Sequence, residues 1–182
     1  MISNESEHWH PAIKLLHWLM AILVFSQFAL GWLAKSWPLS PTKLDLFVWH
    51  KSIGMLILAL ALIRIAIRLS CGSPKSPAGF ARWEVWSAQG NQFLLYALML
   101  AMPVSGWIIN SAANMPFRVF WWFELPDLVN ADKGLAETAE LWHMRLFVVL
   151  TVLVLIHAGA ALNHHFRKRN AILVNMLPKL KR

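Results

Sequence analysis

The sequence predicts an all-α fold, namely an integral membrane bundle of four helices. The chain has 182 residues, of which 58% are hydrophobic, yet its formal net charge is +8. Four long apolar runs are separated by segments that hold most of the charged residues. This segregation is typical of a membrane protein with basic cytoplasmic ends. A nucleic-acid-binding protein would also be basic, but its apolar runs would have no explanation, so nucleic acid is not an expected partner. The length fits one domain, residues 1–182.

Each run is close to the about 20 residues that a membrane helix needs. The first contains no charge and is followed by Pro38 and Pro41, whereas Arg64 and Arg68 interrupt the end of the second and Pro103 lies within the third. The first run is longer than a typical signal-peptide core and has a histidine near its start, so we expect it to be retained as a helix. The predicted spans are about residues 15–34, 50–69, 92–112 and 142–165.

Basic residues are unevenly shared between the two sides of the membrane. Four spans place both termini and the loop between the second and third runs on one side, which holds eleven of the 17 Lys and Arg residues, against six on the other. Because cytoplasmic segments carry the excess of Lys and Arg, both termini are expected on the cytoplasmic side of a bacterial inner membrane. The eleven are Lys14, Arg64, Arg68, Lys75, Arg82, Arg167, Lys168, Arg169, Lys179, Lys181 and Arg182.

Aromatic residues mark the expected contact with the lipid bilayer. The chain has 11 tryptophans and one tyrosine, and most of the tryptophans lie near the ends of apolar runs, where an interfacial aromatic belt belongs. The third and fourth runs are joined by the long loop 110–141. Its segment MPFRVFWWF, residues 115–123, is expected to lie in the interface plane.

Four of the eight histidines fall within the apolar runs: His17, His50, His143 and His157. An ionisable residue inside a span is costly, so each is a functional hypothesis. His143 and His157 are 14 residues apart, so they share a helix face and lie about 21 Å apart along the axis. Two ligands on one face at two depths suggest two sites stacked across the membrane.

Each site needs a second ligand. His17 opens the first run on the cytoplasmic side and is predicted to pair with His157, whereas His50 opens the second run level with His143. Zinc needs four ligands, and cysteines or carboxylates are missing at these depths. Haem iron needs only two axial imidazoles, and the absence of a C-x-x-C-H motif excludes c-type attachment. The sequence therefore predicts two bis-histidine haem b groups in the bundle core.

Small residues near the histidines are expected to leave room for a flat macrocycle. Gly54 lies one turn after His50, and a run of small residues, 158–161, follows His157. The same residues would also suit close helix packing without haem.

Basic residues near the histidines are candidates for binding the haem propionates. Arg64 follows His50 by 14 residues, so it shares that face at about the depth of the inner site. We expect Arg64 and Arg68 to bind the inner propionates, although both would equally be able to extend to the cytoplasmic interface. Arg145 and Lys51, beside the outer histidines, are the candidates for the outer haem.

His164 is predicted to have a different role. It lies seven residues after His157, on the same helix face and about 10 Å nearer the cytoplasm. It cannot reach the same iron, but it can reach a pocket beside the inner haem. His165 points away from this face and is expected to be interfacial.

Six segments resemble the bacterial cytochrome b-561 family of four-helix, di-haem membrane proteins. The resemblance covers nearly the whole chain and implies that the four intramembrane histidines are the haem ligands. It also implies that ubiquinone is the electron acceptor on the inner side and that the position of His164 takes part in quinone binding. A characterised branch of this family oxidises superoxide at the periplasmic face and passes the electron to ubiquinone. The segments are LLHW (15–18), HKSIG (50–54), RIAIRL (64–69), MPVSGW (102–107), WHM (142–144) and IHAGAALNHHF (156–166).

The expected activity is therefore that of an oxidoreductase similar to a superoxide oxidase, with His164 helping to orient or protonate the quinone. Lys51, Arg118 and Arg145 would attract the superoxide anion locally. An alternative is an electron relay between quinol and a redox protein partner, as in the related cytochrome subunits of hydrogenases and formate dehydrogenases. Its candidate docking surface is the acidic loop with Asp127, Asp132, Glu137 and Glu140. A third reading, a haem-free structural membrane protein, stays open.

Overall fold

The computed structural model describes residues 9–72 and 80–177. Four of its helices are long and apolar enough to cross a membrane, and each contains one of the predicted runs. Lys75 and the basic residues Lys179, Lys181 and Arg182 lie outside the described residues. The elements in chain order are α1 (Pro11–Ser36), α2 (Pro41–Cys71), α3 (Arg82–Ala112), β1 (Arg118–Val119), β2 (Phe123–Glu124), α4 (Lys133–Phe166) and α5 (Ile172–Met176).

The helices begin before the apolar runs because polar residues cap them outside the bilayer. Pro41 occupies a first-turn position of α2, where its missing N–H costs nothing, and the Ser40 hydroxyl accepts from the Lys43 N–H at 3.3 Å. Asp132 Oδ1 accepts from the Leu135 N–H at 3.0 Å and so starts α4 at Lys133. Hydropathy alone does not detect such polar turns, and the loop before α4 is consequently shorter than the sequence suggests.

The four long helices form the predicted bundle. α1 packs against α2, α2 against α3, and α3 against α4. α1 and α4 meet through side chains, with the Phe28 and Phe147 ring centroids 5.2 Å apart. A small core of Met20, Ile57 and Ala61 is buried, whereas most outward apolar side chains are exposed in the isolated chain. That pattern fits helices whose outer surface faces lipid.

The segment expected to lie in the interface plane forms a small hairpin. β1 and β2 pair antiparallel, and the turn residues Phe120 and Trp121 have positive φ values of 47° and 62°. These two residues form the centre of a turn that the Trp122 N–H closes onto the Val119 carbonyl oxygen at 3.0 Å, within a three-residue loop. Positive φ values are strained for aromatic residues. Both rings pack against Trp49, with centroids 5.7 and 5.5 Å away, and the fully buried Ser52 hydroxyl accepts from the Phe120 N–H at 2.7 Å. In the described ranges this hairpin is the one departure from an all-α fold.

Candidate functional site

The bundle brings His17 of α1 and His157 of α4 face to face. Their ring centroids are 6.0 Å apart and the ring planes are inclined at 62°. His17 is half-buried, whereas His157 is exposed in the chain alone. A Cβ added at Gly159 would meet nothing within 4 Å, but Gly159 lies about 200° around the helix from His157, so this space is on the other face of α4. The structure brings the predicted inner pair together.

His50 of α2 and His143 of α4 form a second pair. Their centroids are 6.4 Å apart, the planes are inclined at 74°, and both side chains are half-buried. Because His143 and His157 both lie within the continuous helix α4, the two pairs are separated by about 21 Å along its axis. The structure thus places one pair toward each end of the bundle.

The separation of the rings within each pair fits one iron between two imidazoles. A metal held about 2 Å from one nitrogen of each ring puts the ring centroids roughly 6.3 Å apart. The measured values are 6.0 and 6.4 Å. Within residues 9–72 and 80–177, no group of three or more His, Cys, Asp or Glu side chains is placed to hold a metal ion. Two-ligand sites fit haem and do not fit zinc.

Two residues that the sequence did not single out position His50. A Cβ added at Gly31 of α1 would lie 3.1 Å from His50 Cε1, so the ring occupies the space that a side chain would take. Gln27 Nε2 donates to the His50 carbonyl oxygen at 2.7 Å. Gly54, expected to leave room for a macrocycle, instead lies against this amide, because an added Cβ would be 3.1 Å from Gln27 Nε2. A polar Gln inside an uncharged run was the available sequence signal.

α3 positions His143. Ser105 Oγ lies 2.8 Å from His143 Nδ1, within hydrogen-bonding distance. A Cβ added at Gly106 would be 3.6 Å from His143 Cε1, which is ordinary contact. Neither residue was predicted to contribute, although both belong to the MPVSGW segment.

Arg64 and Arg68 occupy different environments. Arg64 is only 6% exposed, lies over the Tyr96 ring at 5.4 Å, and is close enough for its charge to act on both His17 and His157. Its buried Nε has no hydrogen-bond partner, which suits an anionic group bound there. Arg68 is half-buried and donates to Gln92 Oε1 at 3.1 Å, and its buried Nη1 likewise has no hydrogen-bond partner. Because Arg64 is the more deeply buried and Arg68 already bonds to Gln92, Arg64 is the better candidate to bind a propionate of an inner haem.

The basic residues beside the outer pair have partners within the chain. Lys51 Nζ donates to Asn110 Oδ1 at 2.8 Å. The Arg145 guanidinium is exposed and stacks on Trp142 at 5.1 Å. Arg118 forms an exposed ion pair with Glu124, with Nε and Oε2 3.7 Å apart. Lys51 and Arg145 each lie close to an outer histidine in sequence, and of the two Arg145 is the exposed one.

His164 lies at the other end of α4, where two neighbouring side chains contact its ring. Its ring stacks on Phe80 with centroids 5.0 Å apart and planes inclined at 21°. Its Nδ1 lies 2.8 Å from Asn170 Nδ2, and an ion pair between Lys168 and Glu84 joins the end of α4 to the start of α3. His165 contacts the neighbouring Phe166 and lines a cavity together with Asn170, the residue that contacts His164. Its interfacial position stays a prediction.

Four membrane-spanning helices with a facing histidine pair toward each end define the class of the protein: a transmembrane helical bundle suited to haem. A family model described as prokaryotic cytochrome b561 matches residues 8–179. The chain belongs to this family. It is a membrane electron-transfer protein, and the family implies that it binds haem b.

Curated relatives match over nearly their full lengths. Cytochrome b561 homolog 2 of Escherichia coli K12 is 32% identical, with 97% of this chain and 95% of the relative covered. A protein named probable superoxide oxidase CybB, from Yersinia pestis, is 28% identical over 90% of this chain and 92% of its own length. Cytochrome b561 homolog 1 of Escherichia coli K12 is 25% identical, over 91% and 94%.

Proposed function

We propose that the chain transfers electrons from periplasmic superoxide to ubiquinone at the cytoplasmic side of the membrane. The observation that carries the proposal is the presence of two facing histidine pairs at opposite ends of one bundle. His17 with His157, and His50 with His143, would each hold one haem b. When bound, the haem irons supply the one-electron redox chemistry. The name of the Yersinia pestis relative supports superoxide as the donor.

The proposed reaction balances with two superoxide anions for each quinone. Each superoxide loses one electron and becomes dioxygen, and ubiquinone gains two electrons and two protons to become ubiquinol. The protons come from the cytoplasmic side. The exposed guanidinium of Arg145 offers the superoxide anion a local positive charge at the outer end. At the inner end, buried Arg64 would hold a haem propionate.

His164 would donate a hydrogen bond to the quinone. The Asn170 side-chain amide nitrogen has only donors, so at 2.8 Å it donates to His164 Nδ1. In neutral His164 the proton then lies on Nε2, which is free to donate to a quinone carbonyl oxygen. The flat face of Phe80 holds the imidazole plane. These contacts support a quinone-orienting role for His164.

The charge distribution supports the proposed orientation, with both termini in the cytoplasm. Seven of the eleven basic residues expected on that side lie in the described ranges, and α1 and α4 place Lys14 and Arg167 at the same end of the bundle as the inner histidine pair.

The proposed docking surface for a protein partner is not a loop as predicted from the sequence, because Glu137 and Glu140 lie within α4. Glu140 pairs with Lys35 and Glu137 pairs with Lys133, each at 3.9 Å. Asp132 is engaged in capping α4. Three of the four acids of the candidate docking surface thus have partners within the chain. The name of the Yersinia pestis relative favours superoxide, so we prefer superoxide as the donor.

The decisive assay is superoxide-dependent reduction of ubiquinone by the purified chain in detergent or liposomes. We expect quinol to form at one equivalent for every two superoxide anions consumed. Superoxide dismutase should abolish the reaction, and protein stripped of haem serves as the control for the spontaneous reaction. A rate no higher than that control, from protein that holds both haems, would favour the relay function.

Replacing His164 by alanine should raise the KM for ubiquinone about tenfold, because a lost hydrogen bond to substrate costs about 1.4 kcal/mol. The haem spectra should not change, since His164 is not an expected ligand. His165→Ala is the matched control, because the adjacent side chain contacts Phe166 instead. An unchanged KM in His164→Ala, or an equal rise in both variants, would argue against quinone binding at His164.

A further inference from the structure

Ser105 is the one hydroxyl that touches a proposed haem ligand in the described structure. Its Oγ lies 2.8 Å from His143 Nδ1 and also 2.8 Å from the Met102 carbonyl oxygen. A carbonyl oxygen only accepts, and a serine hydroxyl has one proton. The Ser105 hydroxyl can therefore donate to only one of these two partners.

The Met102 carbonyl oxygen has no proton to donate, so it decides which partner receives the Ser105 proton. The hydroxyl proton goes to the Met102 carbonyl, which is the contact that only a donor can make. Toward His143 the Ser105 oxygen is then left as an acceptor, so the proton of the neutral imidazole lies on Nδ1. The other nitrogen, Nε2, is left with a free lone pair, and this is the nitrogen that a metal can use. With the opposite proton placement, Nε2 would carry the hydrogen and would be unable to bind iron.

The partner histidine lacks this support. His50 Nδ1 is buried and has no hydrogen-bond partner. Its ring is positioned by packing against Gly31, and its backbone carbonyl by the Gln27 amide. The two ligands proposed for the outer site are therefore chemically unequal. His143 is oriented by a hydrogen bond at Nδ1, whereas the His50 ring is oriented by packing against Gly31.

We propose that Ser105 is a positioning residue of the outer haem site, which holds His143 in the iron-binding tautomer and strengthens it as an electron donor to iron. A hydrogen-bond acceptor at Nδ1–H raises the basicity of the coordinating nitrogen. A more basic ligand favours ferric over ferrous iron, so Ser105 lowers the midpoint potential of the outer haem relative to a site without it. The inference rests on the proposed ligation by His143, and the haem content of the wild-type chain tests that premise separately.

The test is a redox titration of Ser105→Ala, Ser105→Thr and the wild type, combined with ferric low-spin EPR spectra. In Ser105→Ala the outer midpoint potential should rise by ~40 mV, the equivalent of roughly a fivefold change in the one-electron equilibrium at 59 mV for each factor of ten. The inner potential should stay unchanged. Threonine keeps the hydroxyl and can still donate to the carbonyl of the preceding turn, so Ser105→Thr should retain the wild-type potential and EPR signal.

Ser87→Ala is the matched control. Ser87 lies on the same helix, and its hydroxyl likewise donates to the preceding turn, at 2.8 Å to the Trp83 carbonyl, but the residue is exposed and far along α3 from Ser105. Both potentials should be unchanged in this variant.

Unchanged outer potential and EPR signal in Ser105→Ala, an equal shift of both haems, or the same shift in the threonine variant would overturn the inference. Loss of the outer haem alone from Ser105→Ala, with its retention in Ser105→Thr, would support it. Loss of that haem from both variants would contradict it, because the hydroxyl would then not be the decisive group. None of these readings depends on superoxide, so they are distinct from a failure of the proposed electron donor.

Discussion

Replacing His143 by alanine is expected to remove the outer haem and to leave the inner haem in place. His143 faces His50 at 6.4 Å between centroids, whereas His17 and His157 form their own pair at 6.0 Å. The rate of superoxide-driven quinone reduction should fall by more than about a hundredfold. Mutating a residue that only hydrogen-bonds to a metal ligand already lowers metal affinity or activity about 10- to 100-fold. Haem content by the pyridine haemochrome method, with the absorption spectrum of the reduced protein, measures the loss.

His157→Ala is the reciprocal variant and should remove the inner haem alone. His165→Ala controls for the loss of an imidazole near the end of the same helix and should retain two haems. If His143→Ala and His157→Ala both lost both haems while the bundle still folded, the assignment of the histidines to two separate sites would be wrong.

Replacing Gly31 by valine is expected to have an effect almost as large, although Gly31 is not an expected ligand. A single Cβ there would already lie 3.1 Å from His50 Cε1, and the valine methyl groups add further bulk on the same face. The ring cannot retreat easily, because Gln27 holds the His50 carbonyl and thereby fixes this turn of α2. We expect the outer haem to be lost and the inner haem to be kept, as measured by haem content and reduced-minus-oxidised spectra.

Gly90→Val provides the matched control for the valine substitution. Gly90 also lies within a long helix, but a Cβ added there would meet nothing within 4 Å. This variant should therefore contain two haems. Wild-type haem content and spectra in Gly31→Val would show that the His50 ring does not need the space at Gly31.

The four-helix fold and the meeting of the histidines were predictable because both depend on position along single helices. Apolar length gives each span, and a rise of about 1.5 Å per residue places His143 and His157 at two depths. The distribution of Lys and Arg predicts which side of the membrane each helix begins on. The levels of His17 and His50 in the membrane follow from that orientation. The structure brings together the same two pairs. That these pairs bind haem iron stays a prediction.

The residues that position the paired histidines were not predictable from the sequence, because their contacts depend on how neighbouring helices are rotated against each other. Nothing in the sequence says that Gly31 faces His50 or that Ser105 faces His143. The hairpin between α3 and α4 was missed for a similar reason. Its strained turn is held by Ser52 and Trp49, which lie on α2, distant in the sequence.

The difference between Arg64 and Arg68 also comes from helix packing. Both lie near the end of the second apolar run, where extension to the interface is the common outcome. In the bundle, Arg64 is buried beneath Tyr96, while Arg68 is half-buried and bonded to Gln92. Sequence spacing gave their depth but not which of the two would point toward the inner histidine pair.

Haem stoichiometry of the purified wild-type chain tests the central claim most directly. Pyridine haemochrome analysis against a quantitative protein assay should give two haem b per chain, and EPR of the oxidised protein should show two low-spin ferric signals with bis-histidine ligation. One haem per chain, no haem, or a high-spin signal from either site in fully loaded protein would contradict the account.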